Sequence, residues 1–295
     1  CKPMGSFTCS VDDLLQAKAN QVNVRFELRK DHKKENLYGY VHVKQCEIVR
    51  AVTFTDLLSR GWQINLACAI DFTASNGEPR DVRSLHFLGD NCTNQYTMAI
   101  LSAGEVLLDY DSDKMVAAFG FGAKLPDGTV SHHFHLNLQP NPYVHGLQGI
   151  LDAYKQSLYT VRLSGPTNFA PTIRNVTSGA MQAEKDHVYT ILLIITDGEI
   201  CDMDDTIDAL VVADDVALSI VIVGVGMDCD FEAMNQLDGD NNALVSRGRK
   251  SRRDIVQFVP MKKFVTLPKA ELAAELLREI PAQVERWAAL KGIKK

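Results

Sequence analysis

Three short segments of the sequence carry hydroxyl and carboxylate side chains that could bind a ligand together. The first contains Asp71, Thr73 and Ser75, the second contains Thr167, and the third contains Asp197. Alternate side chains of an extended segment point to the same side, so the Asp-x-Thr-x-Ser spacing can present three oxygens at once. Oxygens without sulfur or imidazole suit Mg²⁺, Mn²⁺ or Ca²⁺ better than zinc. The three segments therefore predict a divalent-cation site.

A helix predicted to follow Thr167 adds a second feature at the same place. The first turn of a helix exposes N–H groups and carries a partial positive charge, which favours an anion. We therefore expect that a bound carboxylate could lie between the cation and this helix end.

The elements that must position these residues alternate between strands and helices. Runs rich in Ile, Val and Leu at 64–70, 188–195 and 218–225 are typical of parallel strands that are buried on both faces. The alternation predicts an α/β fold with a doubly wound, mostly parallel sheet flanked by helices. Ligands of such sheets bind beyond the carboxyl ends of the strands, where Asp71 and Asp197 stand. The predicted helices are 93–109, 145–159, 168–184, 203–215, 230–236 and 269–290, the last interrupted at Pro281.

The first part of the chain has a different pattern. Residues 22–28 and 38–43 alternate between apolar and polar side chains, which predicts half-exposed antiparallel strands. The polar segment Arg29–Asn36 between them is either a solvated hairpin loop or a small cationic surface for acidic lipid headgroups.

Composition excludes several classes of protein. The chain of 295 residues has 31 Lys+Arg against 37 Asp+Glu and a net charge of −6, which argues against a general nucleic-acid binder. No apolar run reaches the roughly 18 residues that a membrane span needs. The seven cysteines form no CxxC motif and no zinc spacing with histidine, so we expect a soluble, cytosolic protein in a reducing compartment.

Three further groups of residues have a structural and a functional interpretation. The aspartates at 109, 111 and 113 resemble the start of a calcium loop, but the later Gly and Glu are absent, which favours a solvated turn. The histidines at 132, 133 and 135 fit an exposed, alternating strand. The basic segment Arg247–Arg253 is either a mobile surface loop or a contact for anionic lipid or an acidic partner.

The three oxygen-rich segments resemble the metal-ion-dependent adhesion site of von Willebrand factor A domains. Five longer segments carry a wider resemblance: 69–77, 109–114, 119–123, 165–171 and 254–260. In these segments the sequence resembles the copine family, and residues 1–62 look like the last strands of the second C2 domain of copines.

The resemblance implies a domain organisation and a set of metal ligands. Residues 1–50 would be the end of a C2-like antiparallel β-sandwich, 51–62 a linker, and 63–290 a von Willebrand factor A-type copine domain. In that domain Mg²⁺ or Mn²⁺ would be bound by the first loop, by the second-loop hydroxyl and, through water, by the third-loop carboxylate. Thr stands at position 73 where many A domains have Ser, and the hydroxyl is kept. The ligands are Asp71, Thr73, Ser75, Thr167 and Asp197.

The resemblance also implies a calcium-dependent, phospholipid-binding adaptor that is not an enzyme. Its A domain would bind cytosolic proteins that offer an acidic residue to the metal, and its C2 domains would use Ca²⁺ to bind an anionic phospholipid surface. No nucleic acid is expected as a partner. Such a protein would be cytoplasmic and peripherally associated with the plasma membrane. We expect most of the calcium loops of the second C2 domain to lie outside this sequence.

Two alternatives remain open from the sequence. Asp71 could be the nucleophile of a Mg²⁺-dependent phosphotransferase or phosphatase, although such enzymes typically have a second Asp two residues later, where this chain has Thr73. The domain could also be a structural scaffold whose metal site stays empty.

Overall fold

The structure, a computed structural model, divides the chain into two compact units, residues 1–51 and 52–295. It describes residues 5–19, 24–29, 37–43, 46, 51–89, 93–239 and 243–295.

The first unit contains a helix and an antiparallel pair of strands. Helix α1 (Val11–Ala19) precedes strands β1 (Val24–Arg29) and β2 (Leu37–Val43), and Val24 lies opposite Val43. The predicted antiparallel pairing is thus confirmed, whereas its membership of a C2-like sandwich stays a prediction. Of the polar segment Arg29–Asn36, residues 30–36 lie outside the described residues.

The second unit is built on one mixed sheet whose central strands are parallel. Its strand order is β14-β11-β10-β3-β4, and the short strands β7 and β8 pair antiparallel with β4. The predicted α/β fold with a doubly wound, mostly parallel sheet is confirmed. The strands of this unit are β3 (Gln63–Asp71), β4 (Met115–Phe121), β5 (Ala123–Lys124), β6 (Val130–Ser131), β7 (Phe134–His135), β8 (Tyr143–His145), β9 (Arg162–Leu163), β10 (Val188–Thr196), β11 (Leu218–Gly224), β12 (Val245–Ser246), β13 (Arg249–Lys250) and β14 (Val256–Pro260).

Helices cover both faces of this sheet, which explains the apolar strands. Along β10, Ile191, Leu193 and Ile195 enter one core, whereas Leu192 and Ile194 enter the core on the other face. Helices α3, α4, α8 and α9 cover the first face, and α5, α6 and α7 cover the second. The helices are α2 (Phe54–Ser59), α3 (Gln95–Leu108), α4 (Gly146–Thr160), α5 (Ala170–Ala183), α6 (Met203–Ala213), α7 (Glu232–Leu237), α8 (Lys269–Leu277) and α9 (Ile280–Leu290).

The last predicted helix is two helices. Helix α8 ends at Leu277, and Pro281 lies in the first turn of α9, where its missing N–H is not needed. The interruption expected at Pro281 is therefore a helix boundary rather than a kink.

The segment 51–62, predicted to be a linker, contains a capped helix. The Thr53 hydroxyl accepts from the backbone N of Asp56, and the Asp56 carboxylate accepts from the backbone N of Thr53. Leu57 of this helix is 2% exposed and lies in the core of the second unit. Residues 52–62 therefore pack as part of that unit.

None of the helices in the described part of the chain combines the length and the apolar character needed to cross a membrane.

Candidate metal centre

The carboxyl ends of strands β3 and β10 bring Asp71 and Thr196 together. The two strands are parallel neighbours with Ile70 opposite Ile195, so the next residue of each strand stands beside the other. Thr196 Oγ1 donates to Asp71 Oδ2 at 2.7 Å, and both residues are fully buried. The sheet register itself therefore fixes one oxygen of the Asp71 carboxylate.

The alternating residues of the first loop are joined by hydrogen bonds. The backbone N and Oγ1 of Thr73 both donate to Asp71 Oδ1, at 2.8 and 2.6 Å. Thr73 Oγ1 also lies 3.0 Å from Ser75 Oγ. A single 3₁₀ turn, Ala74–Asn76, leaves the Ser75 side chain exposed while Thr73 is 2% exposed. The structure thus brings Asp71, Thr73 and Ser75 together, as their spacing predicted.

The second loop lies between the first loop and the segment that follows Asp197. The backbone N of Ala74 donates to Ser164 O at 2.6 Å, and the backbone N of Cys201 donates to Thr167 O at 2.8 Å. Thr167 is 3% exposed, and its hydroxyl has no hydrogen-bond partner among the described residues. A hydroxyl oxygen that no other side chain or backbone group occupies is available to a ligand.

The two carboxylates of the site repel each other. Asp197 follows β10 directly and is 3% exposed. Burial first, and then the negative charge of Asp197, raise the pKa of Asp71 to about 7, against the opposing hydrogen bonds from Thr73 and Thr196. Neither carboxylate forms an ion pair with a Lys or Arg side chain in the described part of the chain. Two buried carboxylates that lack a counter-charge fit a cation.

The available ligands select a hard cation. Among the described residues, no three His, Cys, Asp or Glu side chains converge on one point. A site here therefore depends on the hydroxyls of Thr73, Ser75 and Thr167 as well as on its two carboxylates. Oxygen ligands of this kind favour Mg²⁺, Mn²⁺ or Ca²⁺.

Several residues that support the site from behind were not predicted from the sequence. His86 Nε2 donates to the backbone O of Asp71 at 2.9 Å, and Tyr154 OH lies 2.8 Å from His86 Nδ1. Burial lowers the pKa of His86 to about 3, so it is a neutral donor at this carbonyl. Only the position of Asn76 directly after the motif could have indicated a role. The residues that were missed are Thr196, Asn76, His86, Tyr96 and Tyr154.

The anion expected at the start of α5 is supplied by the chain itself. Asp202 Oδ1 and Oδ2 accept from the backbone N of Phe169 and of Ala170, each at 2.9 Å. The Asp202 carboxylate therefore satisfies the helix end and leaves no need for an external anion there.

The aspartates at 109, 111 and 113 form a structural turn. Asp111 is 1% exposed, which the predicted solvated turn did not anticipate, whereas Asp109 and Asp113 are exposed. Asp111 Oδ2 accepts from the backbone N of Leu66 at 2.9 Å, and Asp111 Oδ1 accepts from the backbone N of Lys114 at 3.0 Å. Asp111 thus ties the turn to β3.

The histidines at 132, 133 and 135 are half-buried rather than exposed. His133 Nδ1 lies 3.2 Å from Thr172 Oγ1, and His135 Nδ1 donates to Gln139 O at 2.8 Å. Because their ring nitrogens face different partners, these side chains support the structural interpretation.

The basic segment Arg247–Arg253 forms the small hairpin β12–β13 and the residues after it. Its charges are largely paired: Arg249 with Asp214 at 2.8 Å, and Arg252 with Asp215 at 2.6 Å. Arg253 is 5% exposed, and its guanidinium donates to several backbone carbonyls. The segment therefore offers little free positive charge to a lipid surface.

Comparisons with known proteins place the second unit in context. The sequence model of the family described as Copine matches residues 84–295, which includes Thr167 and Asp197 but begins after the first loop. Manganese-loaded TRAP protein from Plasmodium vivax is 11% identical, with a TM-score of 0.45 over 75% of this chain and 73% of that chain. Proximal thread matrix protein 1 from the mussel byssus, with a zinc-occupied MIDAS motif, is 15% identical, with a TM-score of 0.35 over 77% and 46%. The SpRpn10 VWA domain is 11% identical, with a TM-score of 0.43 over 68% and 88%.

Proposed function

This chain belongs to the copine family, and from that premise we propose that its second unit is a divalent-cation-dependent protein-binding module. The module would be part of a peripheral membrane adaptor. The observation that carries the proposal is the buried pair of Asp71 and Asp197, which stand at adjacent strand ends without a basic partner among the described residues.

Residues from three loops would together coordinate Mg²⁺ or Mn²⁺. Asp71, Thr73 and Ser75 offer oxygens from the first loop, Thr167 offers its hydroxyl from the second, and Asp197 offers a carboxylate, through water, from the third. The bound cation would keep one open coordination position, which a carboxylate from another molecule can fill. Thr73 and Thr196 keep the Asp71 carboxylate oriented before any cation arrives, because they bond its two oxygens separately.

The partner at this site would be a cytosolic protein with an accessible Asp or Glu. Three exposed residues of the two loops, Ala74, Ser75 and Pro166, show that this edge of the sheet is open to solvent. An acidic side chain is the expected ligand, since the cation is the only positive charge that the described site would present. We expect no binding of nucleic acid, in line with the net charge of −6.

Attachment to a membrane is proposed from the family and not from the second unit. In that proposal, C2 domains bind an anionic phospholipid surface with Ca²⁺, and residues 1–50 are the end of the second of them. The proposed location is the cytoplasmic side of the plasma membrane.

The proposed module is not an enzyme. A phosphotransferase that used Asp71 as nucleophile would typically have a second Asp two residues later and a Lys close to the phosphoryl group. This chain has Thr73 at the first of these positions, and no described Lys or Arg pairs with Asp71. Incubation with p-nitrophenyl phosphate and Mg²⁺ separates the two functions. We expect no turnover, and turnover that is lost in Asp71→Asn would reverse the assignment.

Calorimetric titration with Mg²⁺ and Mn²⁺ tests the metal site. We expect the wild-type chain to bind one cation and Asp71→Ala to lose that binding. Asp127→Ala is the matched control, because Asp127 is an exposed aspartate that bonds only its own turn at Thr129. Equal cation affinity in wild type and Asp71→Ala would remove the proposed site.

A further inference from the structure

Asn76 lies directly behind the first loop and holds it through its side chain. It is 2% exposed and ends the 3₁₀ turn that carries Ser75. Its Nδ2 donates to Thr73 O at 3.2 Å and to Thr73 Oγ1 at 3.3 Å. A single amide group therefore contacts both the backbone and the hydroxyl of one proposed ligand.

Tyr96 fixes the orientation of this amide. Its hydroxyl, on the first turn of α3, donates to Asn76 Oδ1 at 2.7 Å, and the residue is fully buried. With the oxygen held by Tyr96, the NH₂ group must face Thr73. The reverse orientation would place the Asn76 oxygen against the backbone oxygen of Thr73, two acceptors in contact.

The hydrogen bonds of the Thr73 hydroxyl show what this orientation achieves. A hydroxyl has one proton and two lone pairs. The proton of Thr73 goes to Asp71 Oδ1 at 2.6 Å, so Thr73 accepts from both Asn76 and Ser75. The lone pair that accepts from exposed Ser75 is the one that can be released to a ligand, because Asn76 is buried and held on its other side by Tyr96.

We infer that Asn76, oriented by Tyr96, is a positioning residue that aims one lone pair of the Thr73 hydroxyl at the proposed cation site. The inference rests on the proposed function. It differs from a general contribution to packing, because only a positioning role predicts a loss of cation affinity in a protein that is still folded.

Two variants and a matched control separate these roles. Asn76→Leu removes both hydrogen-bonding ends of the amide at similar volume. Tyr96→Phe removes only the orienting hydroxyl and keeps the ring, which stacks on His86 at 4.0 Å. Tyr189→Phe is the control: Tyr189 is also buried, and its hydroxyl lies 2.9 Å from Ser219 Oγ near the start of β10, at the opposite end of the strand from Thr196.

Mn²⁺ alone is the probe, titrated calorimetrically well below the melting temperature of each variant. We expect Asn76→Leu to weaken Mn²⁺ binding about 10–100-fold, as is typical when a partner of a metal ligand is removed. Tyr96→Phe should weaken it less, and Tyr189→Phe should leave it unchanged while lowering the urea midpoint. Wild-type affinity in both Asn76→Leu and Tyr96→Phe, or an equal loss in Tyr189→Phe, would overturn the inference.

Amide hydrogen exchange of the metal-free chain gives a second readout that needs no cation and no Asn76 variant. The backbone N of Asn76 donates to Thr73 O at 3.3 Å, and that of Gly77 donates to Ala74 O at 3.1 Å. We expect both amides to exchange faster in Tyr96→Phe than in Tyr189→Phe, and equal rates contradict the positioning role. If wild type binds no Mn²⁺, the proposed function fails, and the exchange rates still decide whether Tyr96 orders this loop.

Discussion

At the scale of single residues, the site contains two buried carboxylates that repel each other and threonine hydroxyls that hold one of these carboxylates in place. Asp71 is kept in place by donors on both of its oxygens, yet it also faces the negative charge of Asp197. Such an arrangement destabilises the metal-free fold, and a bound cation would relieve it.

The first prediction concerns that repulsion. Asp71→Asn should raise the melting temperature of the metal-free protein, because the amide removes one buried charge while its oxygen can still accept from Thr73. Each kcal/mol of relieved repulsion should raise the melting temperature by about 2–4 °C for a domain of this size. Thermal unfolding in EDTA and in Mg²⁺ measures it. The wild type should be stabilised by Mg²⁺ and the variant should not; a variant that melts lower in EDTA and still responds to Mg²⁺ contradicts the prediction.

The second prediction concerns acid stability at His133, away from the site. Burial, and then the neighbouring charge of His135, lower the pKa of His133 to about 4. The unfolded chain takes up this proton near pH 6.5 and the folded chain does not, so the stability present above pH 6.5 is lost as the pH falls towards 4. His133→Gln should reduce the slope of the free energy of unfolding against pH between pH 6.5 and 4. The reduction should correspond to a fraction of one proton taken up on unfolding. Urea unfolding from pH 7 to 4.5 measures it, and an unchanged slope would contradict the assignment.

At the scale of elements, the strand ends and the turn after β4 decide where the hydroxyls lie. Gly122 follows β4 with φ +77°, and a Cβ there would come within 2.2 Å of Thr73 Cγ2. The methyl group of Thr73 therefore occupies the space that a glycine leaves open.

The third prediction uses this contact. Gly122→Ala should destabilise the protein, by about 1–2 kcal/mol for the backbone conformation and more for the clash, and should weaken Mn²⁺ binding because Thr73 is displaced. Adding Thr73→Ser removes the methyl and keeps the hydroxyl, so the double variant should recover Mn²⁺ affinity while the backbone cost remains. A double-mutant cycle of affinity and stability measures the coupling. Additive effects would show that the contact does not position the hydroxyl.

Sequence patterns predicted the elements because the determinants are local. Apolar runs indicate the parallel strands, Pro281 indicates the break between α8 and α9, and the alternating motif after β3 indicates the first loop. The roles of Thr196 and Tyr96 could not be predicted, since they depend on contacts with residues 125 and 20 positions away. The ion pair between Arg249 and Asp214, 35 positions away, could not be predicted for the same reason.

At the scale of the whole molecule, the two units are assigned different parts of the proposed function. The second unit has its own core on both faces of the sheet and contains every proposed metal ligand. In the basic segment Arg247–Arg253 of this unit, the side chains of Arg247, Arg249 and Arg252 pair with Asp208, Asp214 and Asp215. We therefore expect no lipid binding through this segment.

The fourth prediction follows from that division. A fragment of residues 52–295 should fold, bind Mn²⁺ with the affinity of the full chain, and remain in solution with phosphatidylserine vesicles in Ca²⁺ or in EGTA. Circular dichroism, calorimetry and vesicle sedimentation measure these properties. The prediction is contradicted if the fragment sediments with the vesicles. If changing Arg247, Arg249 and Lys250 to Gln then abolishes sedimentation, the basic hairpin is the lipid-binding site.

The most direct test of the central claim is anomalous diffraction from crystals soaked in Mn²⁺. We predict one strong Mn²⁺ peak at the carboxyl ends of β3 and β10, within coordination distance of oxygens from Asp71 and at least one of Ser75 and Thr167, and no such peak in Asp71→Asn crystals. A peak elsewhere, or an equal peak at this position in Asp71→Asn, would contradict the assignment of this edge of the sheet as a metal-dependent binding site.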